Sequence, residues 1–261
     1  MHLKSDDITR LEIDYVTGEI PPPFSHVFKL KLSFSKNFVN TQFDIQYTDR
    51  EELSPEEITD EGFTLADDYR YTGELPKLWE NVFKKLYASS KWSNQKSLGE
   101  KGGIKLLAKD IHGKITRDIP LNQNEWYLCC QDFIQAIYEI SKKEAPLRIR
   151  FREINSAQEV RVDLLFKFSV RKVDFLVNDQ PRILDWEEGR KLASLIFIPD
   201  YDYSGASEEI PTNMGTYLDC GDGYWHDFEQ GIINLDPEFD AKARVLQAFR
   251  ELASDQGGSD N

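Results

Sequence analysis

The sequence predicts an α+β fold in which antiparallel β-hairpins are covered on their apolar faces by three to four amphipathic helices. Three observations carry this. Apolar and polar residues alternate with a period of two over 26–47, 104–120 and 147–177, the pattern of half-buried strands. Between and after those stretches apolar residues recur every three to four positions, the stripe of a surface helix. With 261 residues, 40% of them hydrophobic, the chain can build one large domain or two modest ones and does not have the composition of a disordered chain.

The elements follow in order. Leu11, Ile13 and Tyr15 alternate with charged residues until Thr17-Gly18 and Pro21-Pro22-Pro23 end the run. His26, Phe28, Leu30, Leu32 and Phe34 share one face of the next strand. After a Lys36-Asn37 turn, Val39, Thr41, Phe43, Ile45 and Tyr47 continue the pattern as the hairpin partner. Ser54-Pro55 caps and opens a short helix in an acidic stretch. Residues 76–89 read as a helix, with Pro76 in its first turn and Leu75, Leu78, Trp79, Val82, Phe83, Leu86 and Tyr87 recurring at three and four. The hydrophilic stretch 91–103 reads as a linker. A second hairpin turns at His112-Gly113.

A helix then opens with Asn122 as cap, Glu125 completing a capping box and Leu121 stapled to Trp126. Its Cys129 and Cys130 are adjacent, so only one of them is expected in the core. A third hairpin turns at residues 155–158. Asp185 and Glu188 open a further helix to about Ile196, and Asp236-Pro237 start the last one.

The order hairpin, helix, hairpin, helix occurs twice in outline, and FIQAIYEI at 133–140 matches VLQAFREL at 245–252 in its Gln, Ala and Glu. The favoured expectation is a single α+β domain with unrelated halves, with a diverged internal duplication as the alternative. The expected organisation is a hairpin-plus-helix region over 1–95, a second α+β region over 104–253, continuous with the first or separate from it, and a disordered tail over 254–261.

Lys and Arg number 32 against 46 Asp and Glu, a net charge of −14. A negative field repels phosphate backbones, which disfavours generic nucleic-acid binding. Three cysteines without a paired spacing fit a reducing cytosol. The stretch MHLKSDDITRLEI has no apolar leader segment, and no apolar run approaches membrane-spanning length. The protein is therefore expected to be cytoplasmic.

Chemistry is concentrated in 199–231, a long irregular segment rich in Asp, Gly and Tyr. Loops of this length are functional or disordered, and its aromatic residues argue against disorder. Tyr201, Tyr203, Tyr224 and Trp225 are candidate partner contacts. Asp200, Asp202, Asp219, Asp222 and His226 are candidate ligands for a divalent cation such as Mg²⁺ or Ca²⁺. The competing structural explanation is that Asp and Gly simply build turns.

A second candidate is the stripe Arg148, Arg150 and Arg152, which alternation puts on one strand face together with Arg161 and Lys167. Such a stripe can grip a carboxylate or phosphate, or be neutralised by neighbouring carboxylates. The four histidines form no zinc motif, and no nucleophile elbow, P-loop or dinucleotide fingerprint is present. Cys220 lies among carboxylates, which oppose thiolate formation.

These features point first to a non-catalytic module that binds a basic protein partner through the acidic-aromatic loop, as an adaptor or an inhibitor of the immunity type, with no cofactor. The alternatives are a metal-dependent hydrolase using the loop carboxylates and a small anionic ligand held on the arginine face.

Overall fold

The computed structural model describes residues 2–254. The chain divides between Glu144 and Ala145 into two compact units. Each is an antiparallel sheet with helices, as the alternating and three-to-four patterns require.

The first unit contains β1 (Ile8–Thr17), β2 (His26–Phe34), β3 (Phe38–Tyr47), α1 (Pro55–Asp60), β4 (Tyr69–Pro76), α2 (Leu78–Ser89), β5 (Gly102–Asp110), β6 (Ile115–Asp118) and α3 (Gln123–Ile140). Its sheet has the order β4-β3-β2-β1-β5-β6. The β2–β3 hairpin has the expected register, with Phe28 opposite Ile45 and Leu30 opposite Phe43. Leu11, Ile13, Leu30, Leu32 and Val39 are buried on the side of the sheet that meets Trp79 and Phe83 of α2 and Trp126, Phe133 and Ile137 of α3. The Phe133 ring meets Trp79 and Phe83 edge-on at 5.0 and 5.1 Å. The other sheet face is a charge lattice: Asp14 stands opposite Lys29 and Asp44 opposite Arg70, with ion pairs of 2.8 and 2.7 Å.

Several local readings are corrected here. Residues 69–76 form a strand, so α2 begins at Leu78 rather than at 76. The 91–103 stretch lies within the first unit and leads into β5, which pairs with β1 from Thr17↔Gly102 to Ile8↔Asp110. Asn122 does not cap α3. Its amide donates to Glu125 instead, at 2.8 Å, while Leu121 stays exposed. The start of α3 is tied down by Gln123, whose amide bonds both the N–H and the carbonyl of Ile104, at 2.6 and 3.0 Å. Cys129 and Cys130 are both buried, because α3 is covered over an arc wider than one stripe, Asp132 included.

The second unit contains β7 (Leu147–Ile154), β8 (Glu159–Lys167), β9 (Lys172–Val177), β10 (Gln180–Arg182), α4 (Trp186–Ile196), β11 (Asp200–Tyr201), β12 (Gly215–Asp219), β13 (His226–Asp227), β14 (Ile232–Ile233) and α5 (Ala241–Ser254). Its main sheet runs β10-β9-β8-β7-β12-β13. This repeats the first unit: a four-strand meander, a helix, a hairpin laid against the other side of the first strand, and a closing helix. The helix match extends to burial, since Phe133 and Ile137 of α3 and their counterparts Val245 and Phe249 of α5 are all fully buried. That is the arrangement expected of a diverged internal duplication.

The segment 159–177, which alternation alone reads as continuous, is broken by a turn at Phe168–Val170. The last helix begins at Ala241 rather than at Asp236. Asp240 accepts the Ala243 N–H at 2.9 Å and so acts as its cap, while Asp236 closes a separate turn. The expected disordered tail over 254–261 begins with Ser254, which is instead the last residue of α5; its other residues, 255–261, lie outside the described residues. Among the described residues no helix is long and apolar enough to cross a membrane.

Candidate functional site

The arginine stripe and the acidic-aromatic loop, separate in sequence, come together on the open face of the second sheet. Strand β7 points Ile149 and Phe151 into the core and Arg148, Arg150 and Arg152 to the other side. β12 pairs with β7 so that Asp219 stands directly opposite Arg150, while Asp163 of β8 stands opposite it on the other flank. Arg150 donates to Asp219 from Nε and Nη2 at 2.9 and 2.6 Å, and Arg148 binds Asp163 through both its Nε and Nη2. Arg152 donates to Glu159 at 2.5 Å, and Arg161 pairs with Asp179 at 2.9 Å.

Every arginine of the stripe thus has a carboxylate partner, supplied by neighbouring strands and turns. The Trp225 ring faces the Arg150 guanidinium at 4.9 Å, a cation–π contact. These arginines, with Trp225 and Ile210 of the loop, line a cavity of about 260 Å³. Arg148 and Arg150 bind through their Nε–Nη2 edges, which leaves each Nη1 amino group to face a further acceptor.

The loop is built largely from aspartate turns. Asp219 Oδ1 accepts the N–H of Gly221 and of Gly223 at 2.9 and 3.1 Å. Asp202 accepts the Ser204 N–H at 2.8 Å, Asp222 that of Tyr224 at 3.0 Å, and Asp227 that of Glu229 at 2.7 Å. At Gly221 (φ +108°) a β-carbon would fall 2.4 Å from a Leu147 methyl, so the turn closes only with glycine there.

The predicted contact residues divide in two. Tyr201 donates its hydroxyl to the Ile196 carbonyl at 2.5 Å and packs edge-on against His226, and Trp225 is buried. Both therefore serve the loop's own packing. Tyr203 is exposed and Tyr224 half-exposed, their rings edge to face at 5.8 Å.

The predicted cation ligands divide as well. Asp200 accepts the N–H of Tyr201, Asp202 is occupied by Ser204 and Asp219 by Arg150. Asp222 and His226 do converge, and the third group beside them is Cys220, with ligand atoms all within 4.8 Å of one another. His226 is fully buried. Its Nε2 lies 2.9 Å from Asp222 Oδ2 and its Nδ1 3.2 Å from the Asp202 carbonyl.

Burial raises the Asp222 carboxyl, but the hydrogen bonds with His226, the Tyr224 N–H and the Tyr203 hydroxyl outweigh it and hold the group below the ordinary carboxylate value. Burial first, then the charge of Asp222, pushes the Cys220 thiol up to about 12 and the Tyr203 phenol likewise to about 12. Both causes oppose thiolate formation at Cys220 in the metal-free site. The alternation of C-x-D-x₃-H around a reversal was the only sequence signal for this cluster, and the surrounding carboxylates argued against it.

Sequence reading also missed an aromatic group in the first unit. Tyr15, His26, Phe28, Tyr47 and Tyr127 are linked by ring contacts of 4.7–5.6 Å. Tyr15 and Tyr127 flank a cavity of about 450 Å³ together with Ile20 and Gln123. Burial and the Tyr127 phenol raise Tyr15 to about 12. Tyr15, His26, Phe28 and Tyr47 continue the core-facing positions of their strands, so alternation alone reads them as core, and Tyr127 joins them from α3.

No protein-family model matches the chain, and neither a curated protein nor a solved structure matches it. The functional reading rests on the sites themselves.

Proposed function

We propose that this protein is a non-catalytic, cytoplasmic interaction module that binds a basic partner through the outer face of 199–231. The observation that carries this is the charge of the segment: eight Asp and Glu with no Lys or Arg, around the edge-to-face pair of Tyr203 and Tyr224. Asp222 beside Tyr203 and Glu208 beside Tyr224 raise the two phenols, so both have acidic neighbours. Aromatic side chains supply contact area at small entropic cost, and carboxylates around them select and steer a cationic partner. The turns that hold the aspartates fix this surface before binding, which lowers the ordering cost. Three free, buried thiols fit a reducing compartment.

The test is titration of the full chain with a Lys/Arg-rich peptide at low and high salt, with the Tyr203→Ala/Tyr224→Ala double variant beside it. Binding is expected at low salt, weaker at high salt, and lost in the double variant. Equal binding by the variant, or none by the parent at low salt, would refute the assignment.

The arginine-lined cavity favours a second reading, a small ligand bearing a carboxylate or phosphate. Its four arginines outnumber the two acidic residues that line it, and Trp225 and Ile210 add an apolar wall. Arg152→Ala should then weaken such a ligand more than tenfold, or about 1.4 kcal/mol.

A further inference from the structure

We propose that Cys220, Asp222 and His226 form a binding site for a transition-metal ion of the Zn²⁺ type. The inference is independent of the partner reading, which concerns the outer face of the same loop.

The geometry is local and preformed. Strand β12 ends at Asp219, the chain reverses through Cys220-Gly221-Asp222-Gly223, and β13 begins at His226. The reversal directs a thiol, a carboxylate and an imidazole to one point, within 4.8 Å of one another. Zinc bonds of about 2.3 Å to sulfur and 2.0–2.2 Å to nitrogen and oxygen require these atoms to close by roughly an ångström at the widest pair, within reach of side-chain rotation. Cys220 and His226 are buried and the Asp222 side chain is 21% exposed, so water can reach the group from the Asp222 side.

The orientation of His226 is what a ligand needs. Its Nδ1 lies against the Asp202 carbonyl, which can only accept and so takes the Nδ1 proton; Nε2 faces Asp222 Oδ2, and loss of the proton shared there frees its lone pair for a cation. A backbone carbonyl holding the far nitrogen is the usual outer-shell support of a metal-binding histidine. Nε2 and Asp222 Oδ2, 2.9 Å apart, then turn lone pairs on the same point. A cation shared between them satisfies both, as a second ring proton does. Asp222 is itself steadied by the Tyr224 N–H, which its Oδ1 accepts at 3.0 Å.

The donor set also selects the ion. Sulfur, nitrogen and one carboxylate oxygen suit Zn²⁺ or Co²⁺, whereas Mg²⁺ and Ca²⁺ take oxygen donors throughout. Of the five residues expected to hold a hard cation, Asp222 and His226 belong to this site, whereas Asp200, Asp202 and Asp219 are engaged in turns or with Arg150. Binding replaces the thiol proton, and any second ring proton, with the metal, and those protons are released to solvent.

The experiment uses the full chain, reduced and EDTA-treated, titrated with Co²⁺ alone. The expected result is a one-to-one complex with the visible absorption of a four-coordinate site and a sulfur-to-cobalt charge-transfer band, both bleached by Zn²⁺. Cys220→Ser should remove the charge-transfer band. Asp222→Asn, a conservative change at an exposed position whose fold can be verified by circular dichroism, should weaken binding more than tenfold. Absence of the band at saturating Co²⁺, its persistence in Cys220→Ser, or a thermal shift produced by Mg²⁺ or Ca²⁺ and not by Zn²⁺ would each overturn the proposal.

Discussion

Asp219 lies buried beneath Arg150 and accepts two of its N–H groups at 2.9 and 2.6 Å, while its other oxygen closes the turn at Gly221 and Gly223. One carboxylate thus joins the arginine stripe to the acidic loop. Arg150→Ala would leave that carboxylate in a site 4% exposed without its cation, and losing one partner of a buried pair costs about 3 kcal/mol. Asp219→Asn keeps an acceptor for the two glycine N–H groups and should be the milder change. Urea unfolding midpoints of the two variants check this order.

Acid should weaken the first unit through Asp67. Arg50 donates to this carboxylate at 2.9 Å, and the Thr64 N–H and hydroxyl donate at 3.0 and 2.6 Å. Arg50 is itself fixed by the Pro23 carbonyl and by the faces of Tyr47 and Phe63. Burial pushes the Asp67 carboxyl up, but the Thr64 and Arg50 hydrogen bonds and the Arg50 charge bring it below the ordinary value. A group with a depressed folded-state pKa stabilises above its unfolded value, about 3.9, and loses that contribution as pH falls through the folded value. Asp67→Asn should therefore be less stable than the parent at pH 7, and the gap should shrink as pH falls below about 4. A gap that stays constant with pH, measured by urea titration, would count against this role.

Hairpins were legible because their signal is local: Lys36-Asn37 and the alternation around it set the β2–β3 register. The β1–β5 pairing has no local signal, since its partners are some ninety residues apart and the polar 91–103 stretch between them reads as a boundary. β4 was hidden because Tyr69, Tyr71 and Leu75 alternate straight into Pro76 and the helical stripe that follows. At the site, period two placed the arginines on one face, yet their partners Asp163 and Asp219 come from β8 and β12. Aromatic content marked 199–231 as ordered. Whether a given ring turns inward depended on acceptors such as the Ile196 carbonyl, which composition does not reveal.

Two helix starts that look alike in sequence should respond differently to the same substitution. Asp185 accepts the Glu187 N–H at 2.8 Å, and Glu188 reaches back to complete a capping box on α4. The Asn122 side chain accepts nothing from the first turn of α3. Asp185→Ala should cost about 1 kcal/mol, whereas Asn122→Ala should cost clearly less, because Gln123 carries the attachment of α3 to β5. Thermal unfolding of both variants under one buffer decides it.

Gly189 should resist the substitution that helix propensity recommends. It is the fourth residue of α4, and inside a helix Gly→Ala would ordinarily gain about 1 kcal/mol. A β-carbon there would stand 2.8 Å from the Val173 Cγ2 methyl of β9 and 3.1 Å from the Phe166 ring of β8. Both neighbours are buried core residues with little room to retreat, and overpacking of this kind costs about 1–3 kcal/mol. Crowding should prevail, so that Gly189→Ala lowers stability. Val173→Ala removes the nearer methyl, and in that background the Gly189→Ala penalty should shrink or change sign. A double-mutant cycle by urea unfolding reads this coupling directly, and additive effects would mean that α4 shifts away from the sheet instead of packing tightly against it.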